Sequence, residues 1–158
     1  QGSGGGNYNV CTRKFKDTNA WYHILFRADS TQVTQADRMK VYINGVQETT
    51  FNMGNLPSQG TDWNNVNRSG QTIQIGRAGS SGSTFFDGIM SHVHFADGQS
   101  LAPTVFGSTD STTGEWKINT APSFTLGTNG FTVLKDGNTI TDQSTNSNNF
   151  AVGGTLTK

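Results

Sequence analysis

The sequence predicts an all-β, antiparallel fold, and three observations carry that expectation. Glycine, threonine, asparagine and serine supply 71 of the 158 residues, a composition of turns and strand surfaces that leaves little for helices. Two dipeptides, Asn44-Gly45 and Asp136-Gly137, lie between runs rich in apolar and β-branched residues. These are hairpin signals, because both central residues of a type I′ turn need positive φ. The hydrophobic residues, 32% of the chain with aromatics at 10%, fall in short runs, so no helix longer than a turn or two is expected.

In chain order, residues 1–20 are a Gly- and Asn-rich lead-in. Trp21 to Arg27 is aromatic and β-branched enough for a strand. Arg38 to Ile43 alternates Arg38, Lys40 and Tyr42 with Met39, Val41 and Ile43, which makes the second set the buried face. The chain turns at Asn44-Gly45 and resumes as a strand over Val46 to Thr50. Residues 51–70, dense in Asn, Gly, Pro and Ser, read as a long loop, and Thr72 to Ile75 as a short strand. Between Phe85 and Phe95, broken at Asp87-Gly88, the set Ile89, Ser91, Val93 and Phe95 opposes Met90, His92 and His94. Leu101 to Phe106 fits one helical turn, and Ser108 to Lys117 is polar with Trp116 as an isolated anchor. Phe131 to Lys135 turns at Asp136-Gly137 and returns over Thr139 to Thr141 as a second hairpin. A polar loop, Asp142 to Asn149, and a strand at Phe150 to Val152 close the chain. Met39, Val41, Ile43, Val93 and Phe95 are the expected core.

Several function classes are excluded by composition. Eleven basic and eleven acidic side chains give no net charge and no basic patch for a nucleic acid. Cys11 stands alone, so neither an intrachain disulfide framework nor a multi-cysteine metal site is available. No apolar run approaches the roughly 18 residues of a bilayer span. The chain opens on Gln1 and a glycine stretch without the features of a signal peptide, so a trimmed chain or a part of something longer is expected.

A family resemblance rests on particular residues. Trp21-Tyr22-His23-Ile24, then Asp37-Arg38, Lys40-Val41-Tyr42-Ile43-Asn44-Gly45-Val46, Ile75-Gly76-Arg77 and Phe86-Asp87-Gly88 resemble, in order and spacing, the laminin-G-like, concanavalin A-type jelly rolls. The continuation, His94 to Leu101, Phe106 to Asp110, Gly114-Glu115-Trp116-Lys117 and Gly127 to Phe131, is similar to the version found in structural proteins of marine bacteriophages. The resemblance implies an antiparallel jelly-roll β-sandwich, with residues 21–106 as the laminin-G-like portion and 107–158 as a C-terminal extension. It begins partway through the sandwich, so the fold is expected to be incomplete in this chain and completed by strands from elsewhere. The acidic calcium site of many laminin-G modules has no residue-by-residue counterpart here.

For chemistry, a glycosidase on such a scaffold needs paired carboxylates about 5 to 10 Å apart. Glu48 and Glu115 are the only glutamates, and no expected strand carries two acids at i and i+2. No Gly-x-Ser-x-Gly elbow occurs; Gly79-Ser80-Ser81-Gly82-Ser83 reads as a flexible loop. His92 and His94 would share one face of a regular strand, a spacing a transition metal can use, but with no third ligand they read as hydrogen-bonded polar residues. His23 reads as a packing or hydrogen-bonding residue. Trp63 could stack on a sugar ring while Asn64, Asn65, Asn67 and Arg68 bind hydroxyls; the plainer alternative is a Trp at the edge of the core. The loops 51–70 and 78–84 are the candidate glycan site, and Asn67-Arg68-Ser69, though a glycosylation sequon, is discounted.

The expectation is therefore a non-enzymatic virion structural protein with no catalytic residue, cofactor or metal. It is displayed as a fibre, spike or decoration that binds host surface glycan, in homo-oligomeric contact with other virion subunits and neither inserted in a membrane nor bound to nucleic acid. The alternative is a purely structural assembly subunit of a capsid, tail or filament, whose loops contact neighbouring subunits. An adhesive module of cellular origin differs from these in source alone.

Overall fold

The computed structural model describes residues 8–62, 67, 70, 72–78, 84–137 and 139–153, with backbone alone for residues 8–10, 52–54, 78 and 84. Among them the regular elements are short strands and two 3₁₀ turns, Gln35–Asp37 and Pro103–Val105. The strands are β1 (Tyr8–Cys11), β2 (Ile24–Ala28), β3 (Met39–Ile43), β4 (Val46–Glu48), β5 (Phe51–Asn55), β6 (Arg77–Ala78), β7 (Thr84–Phe85), β8 (Val93–Phe95), β9 (Gly107–Thr109), β10 (Trp116–Ile118) and β11 (Phe131–Val133). Every pairing between them is antiparallel. None of the described helices is long and apolar enough to cross a membrane.

The chain divides into two compact units, residues 1–65 with 100–124 and residues 66–99 with 125–158. In the first, β2, β3 and β4 form a three-stranded sheet. The β3–β4 turn is the expected one, with Asn44 at φ 49° and Gly45 at φ 78°. Asn44 also closes the far end of the β2–β3 ladder. Its Oδ1 accepts the His23 N–H at 2.8 Å and its own N–H donates to the His23 carbonyl at 2.9 Å. Regular pairing consequently starts at Ile24 rather than Trp21, and Trp21 is 66% exposed.

Cross-strand partners share a face, which puts Ile24, Phe26, Val41, Ile43 and Val46 on one side and Leu25, Arg27, Lys40, Tyr42 and Gln47 on the other. Met39 and Ile43 are buried as expected, whereas Val41 is half-buried and Tyr42, expected on the polar face, is buried. The Arg27 guanidinium lies 6.0 Å from the Tyr42 ring centroid and covers it. Val93 and Phe95 are also half-buried, because their sheet has two strands and β11 takes the deeper positions: Phe131 is 4% and Val133 2% exposed.

The loop expected at residues 51–70 opens with a strand, and the glycine-rich lead-in contains that strand's partner. β5 pairs with β1, the register skipping Asn52 between the Val10–Met53 and Cys11–Phe51 pairs. The ladder extends through the Thr12 N–H to the Thr50 carbonyl, 3.2 Å. Where β4 leaves the three-stranded sheet, Arg13 Nε meets Glu48 Oε2 at 2.6 Å. Residues 72–75 form no strand. Gly76 at φ 77° turns the chain, and the short β6–β7 ladder follows, extended by the Phe86 N–H to the Gly76 carbonyl at 2.8 Å. Positive φ at His92, 53°, likewise confines the expected 85–95 strand to β7 and β8.

Two further expectations are corrected. The polar stretch around Trp116 is a hairpin of β9 and β10. Its turn is built on Asp110, whose Oδ1 accepts the Thr112 and Thr113 N–H groups at 2.8 and 3.0 Å and whose Oδ2 accepts Lys117 Nζ at 2.6 Å. The second Asx-Gly hairpin forms no regular strand pair among the described residues: the chain does turn there, the Leu134 N–H donating to the Thr139 carbonyl at 2.9 Å, but Leu134 at φ 58° ends β11, whose strand partner is β8. Phe150 to Val152 forms no strand either; the Phe150 ring packs edge-on against Phe131, centroids 4.8 Å apart.

Candidate functional site

In the second unit, polar loops converge on two carboxylates. Asp142, 7% exposed, is surrounded by donors: Oδ1 accepts the Thr132 and Ser144 N–H groups, both at 2.9 Å, and Oδ2 accepts Ser144 Oγ and the Asn148 N–H, both at 2.8 Å. Burial works to raise its pKa, but these donors outweigh it and hold the carboxyl below its ordinary value. Thus anchored, the 142–149 loop presents Asn146 Nδ2 to the Gly127 and Gly130 carbonyls at 2.6 and 2.9 Å, and Asn148 Nδ2 to those of Thr128 and Gly130 at 3.1 and 2.9 Å. The 127–130 turn is therefore held rigidly from one side.

On its other side stands Asp97. The Asp97 N–H donates to the Leu126 carbonyl at 2.8 Å, its Oδ2 accepts the Asn129 N–H at 3.1 Å, and its Oδ1 accepts Asn67 Nδ2 at 2.5 Å. Gly127, at φ 70°, makes this approach possible, since a Cβ there would lie 2.9 Å from that of Asp97. Asn67 and Asn129 are exposed. Each Asp97 oxygen keeps acceptor capacity, and the exposed Asn67 amide adds donor and acceptor capacity beside it, a set suited to hydroxyl groups.

Of the residues singled out from sequence, Asn67 is the one whose position is described; Trp63, Asn64, Asn65 and Arg68 lie outside the described residues, as does the 79–83 segment. Asp97, the partner of Asn67, and Asn129, whose N–H is bonded to Asp97, were missed. The available signal was the pair of turn dipeptides Asp97-Gly98 and Asn129-Gly130, each a short polar side chain beside a residue free to take positive φ.

Several carboxylates, Glu48 among them, are held in structural bonds. Glu48, 9% exposed, is bonded to Arg13, which lowers its pKa. The hydrogen bond from Lys117, with the backbone donors of Thr113 and Thr112, pulls Asp110 down to about 2. Asp29 is lowered by the side chains of Thr31 and Gln32, and Asp37 by Lys40. All are moved away from the raised pKa a general acid needs.

The histidines do not form the regular i, i+2 pair. His92 precedes β8, with Nδ1 2.6 Å from Ser91 Oγ, while His94 Nδ1 lies 2.9 Å from Thr132 Oγ1. Among the described residues no group of three or more His, Cys, Asp or Glu is placed to hold a metal ion.

Residues 1–105 match the family profile of the concanavalin A-like lectin/glucanases superfamily, in its laminin-G form. The chain belongs to that superfamily. The concanavalin A-like fold accords with the antiparallel strands and the near absence of helix. Comparisons with curated proteins and with solved structures give no match. The matched range contains β1 to β8 and Asp97, while Asn129 and the 142–149 loop follow it in the chain.

Proposed function

We propose that this concanavalin A-like domain binds carbohydrate without cleaving it. The observation that carries the reading is the Asp97 carboxylate, oriented by Asn67 and the Asn129 N–H within a braced loop cluster. A neutral sugar brings many hydroxyls and one apolar ring face. The carboxylate and amide serve the hydroxyls; the stacking ring and further donors expected from the sequence, Trp63, Asn64, Asn65 and Arg68, lie outside the described residues. Membership of a superfamily whose name joins lectins with glucanases supports carbohydrate as the ligand class. The lowered carboxyl pKa values support binding over hydrolysis. We place the domain on a virion surface as a fibre, spike or decoration, on the resemblance carried by His94 to Leu101, Gly114 to Lys117 and Gly127 to Phe131.

A single site of this kind is weak, and repeated copies raise avidity by about 10² to 10⁴. The test is therefore a glycan array probed with a multivalent display of the parent, Asn67→Ala and Trp63→Ala. Loss of binding in both variants, with an unchanged thermal melt, is the expected result. Equal binding by parent and variants removes this loop from the site. Oligosaccharides released from host polysaccharide by the parent and absent with Glu48→Gln would make the domain a hydrolase.

One observation favours the assembly-subunit reading. Ile24, Phe26 and Val46, on one face of the β2–β3–β4 sheet, are 58%, 49% and 66% exposed. Under that reading Val46→Lys abolishes self-association, measured by sedimentation, and leaves array binding at the background the parent shows.

A further inference from the structure

In the first unit the β9–β10 hairpin packs Trp116 against the β3–β4 turn and against His23, which is bonded to that turn. Trp116, on β10, stacks on the His23 imidazole with centroids 5.5 Å apart and planes 20° from parallel. Two glycines make room for the indole. A Cβ at Gly45 would collide with its six-membered ring, and one at Gly107 would stand 2.7 Å from Cε2 and Cζ2. Phe106 lies 6.2 Å from His23 and 5.3 Å from Phe124, closing the pocket with apolar surface. Within it, His23 Nδ1 and Trp116 Nε1 are buried and have no hydrogen-bond partner among the described residues. The backbone of the same histidine is tied on both sides to Asn44, so ring and turn are coupled.

We propose that His23 is an acid-operated latch: protonation of its half-buried imidazole, whose enclosed Nδ1 has no partner among the described residues, expels the ring from the Trp116 stack and releases the β9–β10 hairpin from the β3–β4 turn. A neutral imidazole tolerates this apolar pocket, whereas an imidazolium needs a partner for each N–H and a counter-charge. Among the described residues no acidic side chain is bonded to His23. On the hairpin, Glu115 and Lys117 flank Trp116 in sequence, and Lys117 is bonded to Asp110. On the sheet, Arg27 lies against Tyr42 and Lys40 is bonded to Asp37. The 3₁₀ turn Pro103–Val105 carries no titratable group. Burial alone shifts His23, lowering its pKa below the ordinary 6.5. A folded-state value below the unfolded one means that the latch is at full strength above pH 6.5 and weakens as pH falls through the folded value. The observation stands apart from the carbohydrate reading, because these residues belong to neither the Asp97 cluster nor the Trp63 loop.

The experiment follows the full chain by NMR between pH 7.5 and 4.5, reading the His23 Cε1–H shift and amide exchange corrected for its intrinsic pH dependence. The amides of Asn44 and Asn119, bonded to the His23 and Phe106 carbonyls, report the latch, and that of Gln143, bonded to the Thr132 carbonyl, is the control. The expected result is a His23 midpoint below 6.5. Protection at Asn44 and Asn119 should fall about tenfold for each pH unit that separates that midpoint from 6.5, with Gln143 constant. His23→Phe, which keeps a ring against Trp116, should abolish the loss. A midpoint at or above 6.5, or acid loss persisting at Asn44 and Asn119 in His23→Phe, overturns the proposal. If that variant does not fold, His23→Gln and the parent's own midpoint decide by the same criteria.

Discussion

The donors gathered on Asp142 make it the polar centre of the second unit, and its substitution separates charge from shape. Asp142→Asn preserves the volume but turns one oxygen into a donor facing Ser144 Oγ and the Asn148 N–H, so the hydroxyl must reverse to accept and the contact with the Asn148 N–H becomes repulsive. A loss of about 1 to 3 kcal/mol in urea-induced unfolding is expected. Asp110 is half-buried, and its test is pH. Its pKa, held near 2 by Lys117 and two backbone donors, lies below the ordinary 3.8. The stabilisation it gives its turn is complete above about pH 4 and lost as pH falls through 2. The amide shifts of Thr112 and Thr113 should report that transition, and Asp110→Asn should lack it. Gly45 combines φ 78° with the Trp116 ring against its Cα. Gly45→Ala is expected to cost about 1 to 3 kcal/mol, measured by denaturant midpoint.

Pairings at the scale of elements were legible where the signal was local and lost where it was not. Asn44-Gly45 joins neighbours in sequence, and both residues adopt the φ values the turn requires. Asp136-Gly137 carries the same local signal, yet β11 finds its partner in β8, far upstream, because pairing there stacks Phe131 on Phe95 with centroids 5.5 Å apart. Nothing within residues 131–141 encodes that choice. The β1–β5 pair was hidden for a similar reason: a glycine-rich lead-in offers little side-chain pattern, and the partner lies beyond three intervening strands. In the candidate site, Asn67 could be picked out by residue type, while Asp97 and Asn129 become its neighbours through the β8–β11 pairing, which no spacing rule reveals. The same pairing is open to test. Val133→Ala, at a position 2% exposed, removes two methyl groups and should cost about 2 kcal/mol, while Thr132→Val, half-buried on the same strand, should cost less.

For the whole molecule, the family profile ends at residue 105, but the structure does not divide there. A fragment of residues 1–105 lacks Trp116 and the β11 partner of β8, and it should show no cooperative thermal transition by far-UV circular dichroism, whereas residues 1–158 should. The two units are interleaved along the chain, each built from two separated segments. This has a temporal consequence during synthesis. The first unit begins upstream of the second, yet it waits for the hairpin that contributes Trp116 while residues 66–124 are added, about 3 to 12 s at ordinary elongation rates. Through that interval the nascent β2–β4 sheet displays Ile24, Phe26 and Val46 without its last segment, a window in which a chaperone or a neighbouring nascent chain competes with residues 100–124 for the same chain.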